Sequence, residues 1–210
     1  MDLPDNAHAR IGWSQALGQV QAPCGYDKFS YAIRTRKGTR FHQSFGKSYG
    51  KEFGAGDILG CYIQLPTKFY PDVIPPTYKD KPLIKFKSFL YYEEKDNAAA
   101  EEKKLFSYPG AKISWYLNGK NLGAGFDDGG VIKGTYYPAI SLYKNAVVKA
   151  NFGPRFRYAP KDMDRSKWRP MSDNVELAHV EAALSDVLYH IDNEKSARAD
   201  HDALMSMSAV

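Results

Sequence analysis

The sequence predicts a mainly β fold, an antiparallel sandwich followed by a C-terminal amphipathic helix, and three observations carry that prediction. Residues 1–155 break into short runs rich in Val, Ile, Tyr and Phe, separated by turn-forming residues. Asn118-Gly119 sits between two such runs, and this dipeptide readily adopts the positive φ angles of a type I′ hairpin turn. Beyond Arg169-Pro-Met-Ser-Asp173 the apolar period changes from two to 3.6.

The strands are expected at Ala9–Trp13, Phe29–Arg34, Thr39–Phe45, Asp57–Leu65, Leu83–Tyr91, Lys112–Leu117, Tyr136–Leu142 and Val147–Phe152. In Asp57–Leu65 the alternation puts Leu59, Cys61, Ile63 and Leu65 on one side, the better core face. Pro66–Pro82 holds five prolines and reads as a loop, because proline cannot donate to a sheet ladder. Glu93–Lys104, with Ala98-Ala-Ala100, reads as a short solvated helix or a mobile loop.

In the C-terminal segment Val180, Leu184, Val187, Leu188 and Ile191 recur at helical spacing on one face. Asp173 or Asn174 is the expected N-cap, and Asp186 and His190, four apart, support each other weakly. The expected organisation is a sandwich over 1–160, a linker over 161–174, a helix over 175–194 and a flexible tail over 195–210.

Composition narrows the function. No apolar run reaches about 18 residues, so no membrane helix is expected. MDLPDNAHAR lacks a signal-peptide pattern, and Cys24 and Cys61 form neither a CxxC pair nor a disulfide framework, which favours a reducing compartment. Charge is uneven. Lys28–Lys51 contains seven Lys/Arg and no acid, whereas residues 176–210 hold seven acids against two bases. A basic run of this kind is either a solvated face or a surface for an acidic partner or a phosphate backbone.

Catalytic patterns do not emerge. His8, His42, His179, His190 and His201 show no metal-ligand spacing. There is no GxSxG, no P-loop and no dinucleotide-binding GxGxxG. Glu93-Glu94 and Asp127-Asp128 are adjacent acids in loops, which are far more often solvated than catalytic. Cys24 follows a proline and reads as a small loop or buried thiol. No catalytic residue, metal or cofactor is expected.

Two binding features do emerge. Arg10, Pro23, Tyr26 and Arg34, with Arg36, Lys37 and Arg40 nearby, combine planar cations with a rigid apolar floor. That combination suits an acidic peptide with an apolar anchor, and the spacing is compatible with convergence and with scatter alike. The stripe Val180–Ile191 suits either packing back on its own domain or docking in a partner's groove.

Ala9-Arg-Ile-Gly-Trp-Ser14, Gln21-Ala-Pro-Cys-Gly-Tyr-Asp-Lys-Phe-Ser-Tyr31, Lys37-Gly-Thr-Arg-Phe-His-Gln43 and Gly56-Asp-Ile-Leu-Gly60 together resemble the SPRY (B30.2-like) fold. With Tyr78-Lys-Asp-Lys-Pro-Leu-Ile-Lys-Phe-Lys-Ser88, Tyr136-Tyr-Pro-Ala-Ile-Ser-Leu-Tyr143, Asn151-Phe-Gly-Pro154 and Leu184-Ser-Asp-Val-Leu-Tyr-His190, the chain resembles the SPRY subunits of COMPASS, or trithorax-group, histone methyltransferase complexes over roughly residues 9–194. The resemblance implies a bent antiparallel SPRY-type β-sandwich. It implies that Arg10, Pro23, Tyr26 and Arg34 bind an acidic segment of a WD-repeat subunit of the retinoblastoma-binding protein five type. It implies that Leu184, Val187, Leu188 and Ile191 dock a dimer of the dumpy-thirty type. The implied role is a nuclear, non-catalytic subunit that stimulates a SET-domain methyltransferase acting on histone H3 lysine four, with possible weak DNA or nucleosome contact. The alternatives are a SPRY recognition module of another complex, such as a ubiquitin-ligase receptor, and a basic β-domain binding nucleic acid. A SPRY domain begins several strands before its Arg-Ile-Gly-Trp strand, and only eight residues precede Ala9 here. The resemblance therefore implies an N-terminally truncated sandwich with unpaired edges and exposed apolar faces, and without the family's N-terminal DNA-binding region.

Overall fold

The computed structural model describes residues 7–66, 81–93 and 97–208. Ten strands form three antiparallel sheets: β1 His8–Ser14, β2 Ser30–Arg34, β3 Arg40–His42, β4 Phe45–Lys47, β5 Leu59–Gln64, β6 Leu83–Phe86, β7 Phe89–Tyr92, β8 Lys112–Leu117, β9 Lys120–Phe126 and β10 Tyr137–Tyr143. One sheet has the order β10-β1-β2-β3-β4, the second β5-β8-β9, and β6-β7 is a hairpin by itself. The chain divides into two compact units. The first comprises Met1–Lys68, Asn97–Asn151 and Arg155–Trp168; the second comprises Phe69–Asp96, Phe152–Pro154 and Arg169–Val210.

The first unit is the sandwich. Period-two alternation sends Tyr31 and Ile33 of β2 inward, both with no exposed surface. Ile113 and Trp115 of the second sheet are equally buried. The Tyr31 ring lies 4.9 Å from Phe126 edge-on, and its hydroxyl accepts the Ile132 N–H at 3.1 Å. Burying a phenol requires such a partner. Tyr49 crosses between the layers as well, donating to the Gly123 carbonyl at 2.6 Å while its ring packs edge-on against Trp115.

The Asn118-Gly119 turn joins β8 and β9 as the sequence predicts, with φ of 51° and 83°. Asn118 also staples the entry to β5, since its side chain accepts from the Ile58 N–H at 2.9 Å and donates to Asp57 at 2.7 Å. That bond and the Gly54 N–H hold the Asp57 carboxyl below the usual aspartate range.

Several expectations are corrected. Thr39–Phe45 and Leu83–Tyr91 are not single strands; each contains a reversal, at Gln43-Ser44 and at Lys87-Ser88. Neither dipeptide is a strong turn former. Ser44 is held by tertiary bonds, its N–H donating to Gly25 and its hydroxyl to the Tyr26 carbonyl. Val147–Phe152 forms no strand, because no neighbouring strand pairs with it, and β propensity without a partner makes no ladder. The 161–174 segment is not simply a linker. Asp162 accepts from Tyr116 at 3.1 Å and from Asn121 at 2.5 Å, which ties its first part to the sandwich. The loop expected at Pro66–Pro82 lies largely outside the described residues. Glu93–Lys104 does contain a short helix, α1 Ala98–Glu102, capped by the Asn97 side chain.

In the second unit, α2 spans Asp173–Asp192 and α3 spans Glu194–Ser208. The N-cap of α2 is Ser172, rather than Asp173 or Asn174, and its side chain makes no capping bond. The tail expected to be flexible is helical over α3. No helix among the described residues is long and apolar enough to cross a membrane.

Replacing Asn118 with alanine removes two side-chain bonds and leaves a β-carbon at positive φ without the amide's local compensation. The expected outcome is a loss of about 1–2 kcal/mol of stability, read as a lower urea midpoint with an unchanged slope.

Candidate functional site

Antiparallel register brings the first cluster together. Arg10 of β1 stands directly opposite Arg34 of β2, so both side chains emerge on the outer face of the five-stranded sheet. Phe41 of β3 is opposite Ala32 and shares that face. The two guanidinium groups lie over the Phe41 ring, at 3.8 Å for Arg10 and 5.0 Å for Arg34. Two cations side by side repel, and the electron-rich ring face between them offsets part of that cost. Burial, and then the facing Arg34, push the Arg10 guanidinium below its ordinary pKa. Among the described residues neither arginine has a carboxylate partner.

The other two predicted residues sit on a turn that folds over this face. The Cys24 N–H donates to Ser141 on β10 at 2.8 Å, and the Cys24 carbonyl accepts from Arg10 at 3.3 Å. Gly25 packs so closely on Phe41 that a β-carbon would fall 2.7 Å from the Phe41 carbonyl oxygen, and its φ is +84°. Only glycine fits there. Its N–H donates to the Ser30 hydroxyl, which in turn donates to Asp27. Pro23 and Tyr26 project from this turn; both are exposed, and the Tyr26 N–H is bonded to the Pro23 carbonyl. Arg10, Pro23, Tyr26 and Arg34 thus occupy one neighbourhood, built from β1, β2 and the loop between them. Its geometry offers two planar donors over an aromatic floor, an arrangement that can take carboxylates without any chemistry of its own.

Sequence reasoning missed Phe41, Gly25 and Ser44. Alternation along Arg40-Phe41-His42 places Phe41 on the face opposite Arg40. Only the pairing of β3 with β2 says that this face is the one carrying Arg10 and Arg34. The same parity divides the basic run Lys28–Lys51. Arg34 is on the outer face, Arg40 and Lys47 are on the inner one, and Lys28 is paired with Glu102 at 2.8 Å. No single basic track results.

Cys24 is buried and its thiol is pushed up to about 12, first by burial and then by Asp27, so it is held as the protonated thiol. Both cysteines are free. Among the described residues no group of three His, Cys, Asp or Glu side chains could hold a metal ion.

The second predicted cluster lies on α2. Val180, Leu184, Val187, Leu188 and Ile191 are 64, 45, 55, 37 and 68 % exposed. The buried residue of the helix is Ser185, whose hydroxyl donates to the Glu181 carbonyl. The apolar stripe is thus largely exposed on α2.

The fold defines the class first: a SPRY-type β-sandwich, here with two arginines over an aromatic ring on its outer face. Residues 1–69 match the SPRY domain model. The chain is 43 % identical over 203 residues to the "Set1/Ash2 histone methyltransferase complex subunit ASH2" of Drosophila melanogaster, an alignment covering 97 % of this chain and 36 % of the fly protein. It is 38 % identical over 212 residues to the Caenorhabditis elegans subunit ash-2 (95 % of this chain, 35 % of the relative). It is 32 % identical over 221 residues to the "Set1 complex component ash2" of Schizosaccharomyces pombe (90 % and 33 %). The chain belongs to this family of SPRY-containing ASH2-type subunits, and it spans about a third of the length of these relatives.

Phe41→Leu keeps an apolar side chain in the floor and removes the ring face under both arginines. Stability is expected to fall by less than about 1.5 kcal/mol, while affinity for a carboxylate-rich peptide falls several-fold, as measured by parallel urea melts and calorimetry.

Proposed function

We propose that this chain is a non-catalytic scaffold subunit of a nuclear histone H3 lysine-four methyltransferase complex. The observation that carries the reading is the Arg10–Arg34 pair over Phe41, which has no carboxylate partner among the described residues, with the exposed Tyr26 on the turn whose Gly25 packs on Phe41. Two stacked guanidinium groups without counter-charges are a receptor for acidic side chains, and an exposed tyrosine on that turn supplies the apolar contact typical of interface anchors. The occupant is an acidic segment of a WD-repeat subunit of the retinoblastoma-binding protein five type.

The α2 stripe is the second contact. Leu184, Val187, Leu188 and Ile191 together give a ridge one helix face wide, the form that fits an apolar groove. The groove belongs to a dimer of the dumpy-thirty type. The two contacts hold a SET-domain methyltransferase in its stimulated state, and the methyl-transfer chemistry stays with that subunit. The family relationship supports complex membership, since the relatives are named as Set1 or Set1/Ash2 complex subunits.

Arg34→Ala and Tyr26→Ala are each expected to weaken binding of the acidic WD-repeat segment by on the order of 2 kcal/mol, with affinity falling as salt rises. Calorimetric titration at two ionic strengths checks this, and unchanged affinity in both variants overturns the pocket. Leu188→Glu puts a charge into an apolar contact and is expected to abolish co-elution with the dumpy-thirty dimer. A variant that still co-elutes would show that α2 is not the docking element.

A further inference from the structure

The inner face of the β3–β4 hairpin carries a second set of recognition groups, distinct from the Arg10–Arg34 pocket on the outer face. Register places Lys47 directly opposite Arg40, and Phe45 directly opposite His42. All four side chains therefore rise on one side, where Phe126 of β9 meets them. Together they line an open concavity of about 570 Å³, within the range of ligand-binding clefts.

The charges in this concavity are unbalanced. Arg40 and Lys47 have β-carbons roughly 5 Å apart, as cross-strand pairs do, and like charges so placed destabilise a hairpin. Neither has an ion-pair partner among the described residues. The Arg40 guanidinium lies 4.9 Å over the Phe126 ring, and its Nε is shielded from solvent with no hydrogen-bond acceptor. Asp127 is the one acid in the lining, against two cations. His42 contributes no positive charge to balance it at neutral pH. Its Nδ1 bonds to the Ser30 carbonyl, which requires a proton on that nitrogen, its ring stacks on Tyr31 at 4.1 Å, and burial lowers its pKa. Phe45 is 75 % exposed.

Among the described residues the backbone beside these groups also has an open edge. β4 ends the five-stranded sheet. In a hairpin closed by a two-residue turn, the flanking pair His42/Phe45 is hydrogen-bonded, and so is Arg40/Lys47 two positions on. The intervening Gly46 then points its N–H and C=O away from β3, toward the open edge. A strand added there would find one donor and one acceptor at Gly46. Its side chains opposite Lys47 and Phe45 would be two residues apart and on the concave face. A lysine on an edge strand ordinarily repels neighbouring strands; here the lysine and the arginine behind it admit a strand that carries a carboxylate.

We infer that the β4 edge binds an extended acidic peptide by strand addition, with a carboxylate facing Lys47 and Arg40 and an aromatic side chain two positions away packing on Phe45. Charge complementarity and the free edge together select a peptide over a nucleic acid, because a phosphate backbone would use the cations and leave Gly46 unbonded.

The test uses the full chain and a labelled, terminally blocked peptide Thr-Glu-Thr-Phe-Thr-Glu-Thr, read by fluorescence anisotropy. Its symmetry serves either strand direction. Wild type is expected to bind, and Lys47→Glu and Phe45→Ala at least tenfold more weakly. Both substituted residues are exposed, and circular dichroism confirms that the variants fold. Unchanged affinity in Lys47→Glu overturns the site, as does absence of binding to the wild type. Loss in Arg34→Ala with retention in Lys47→Glu assigns the peptide to the outer pocket instead. Equal competition by an oligothymidylate of the same charge would show a generic anion surface and overturn strand addition.

Discussion

Tyr31 is the residue on which the rest of the sandwich turns. It has no exposed surface, its hydroxyl satisfies the Ile132 N–H, and its ring touches His42, Phe126 and Tyr136. Burial drives the hydroxyl's pKa far above that of free tyrosine, so it stays protonated. Because a strand alternates strictly, a one-residue slip of β2 would send this phenol to the outside. With Tyr31 inward, Ala32 and Arg34 must face outward, and pairing with β1 then sets Arg10 beside Arg34. The pairing of the two arginines on the outer face is thus a consequence of how the core is filled.

The same parity sends the side chains of one three-residue strand to two faces. Phe41 serves the outer face as the floor for two arginines, while Arg40 and His42 serve the inner one. The loop that carries Pro23 and Tyr26 is in turn secured by the β3–β4 turn, through the Ser44 bonds to Gly25 and Tyr26. Outer pocket and inner edge therefore share a scaffold and differ in the side chains they present. The exposed apolar stripe on α2 follows another logic. Leaving five large apolar side chains in water forgoes burial worth about 25 cal/mol per Å².

Sequence alone determined much of this protein, because some signals are local. Period-two runs marked eight candidate strands, of which seven contain observed strand; Asn118-Gly119 marked the type I′ turn; the 3.6 period marked α2. Arg10, Pro23, Tyr26 and Arg34 could be singled out only because the motifs around them resemble a known family, and their part in binding is a proposal. Tertiary structure alone decided what depends on pairing. Phe41 became a floor, and Lys47 a neighbour of Arg40, through register, which no single strand encodes. Gln43-Ser44 and Lys87-Ser88 reversed the chain without a strong turn signature, the first because Ser44 finds partners on a distant loop. Val147–Phe152 had strand-forming residues and no strand to join. Local propensity is written residue by residue, whereas a face exists only once two strands have chosen each other.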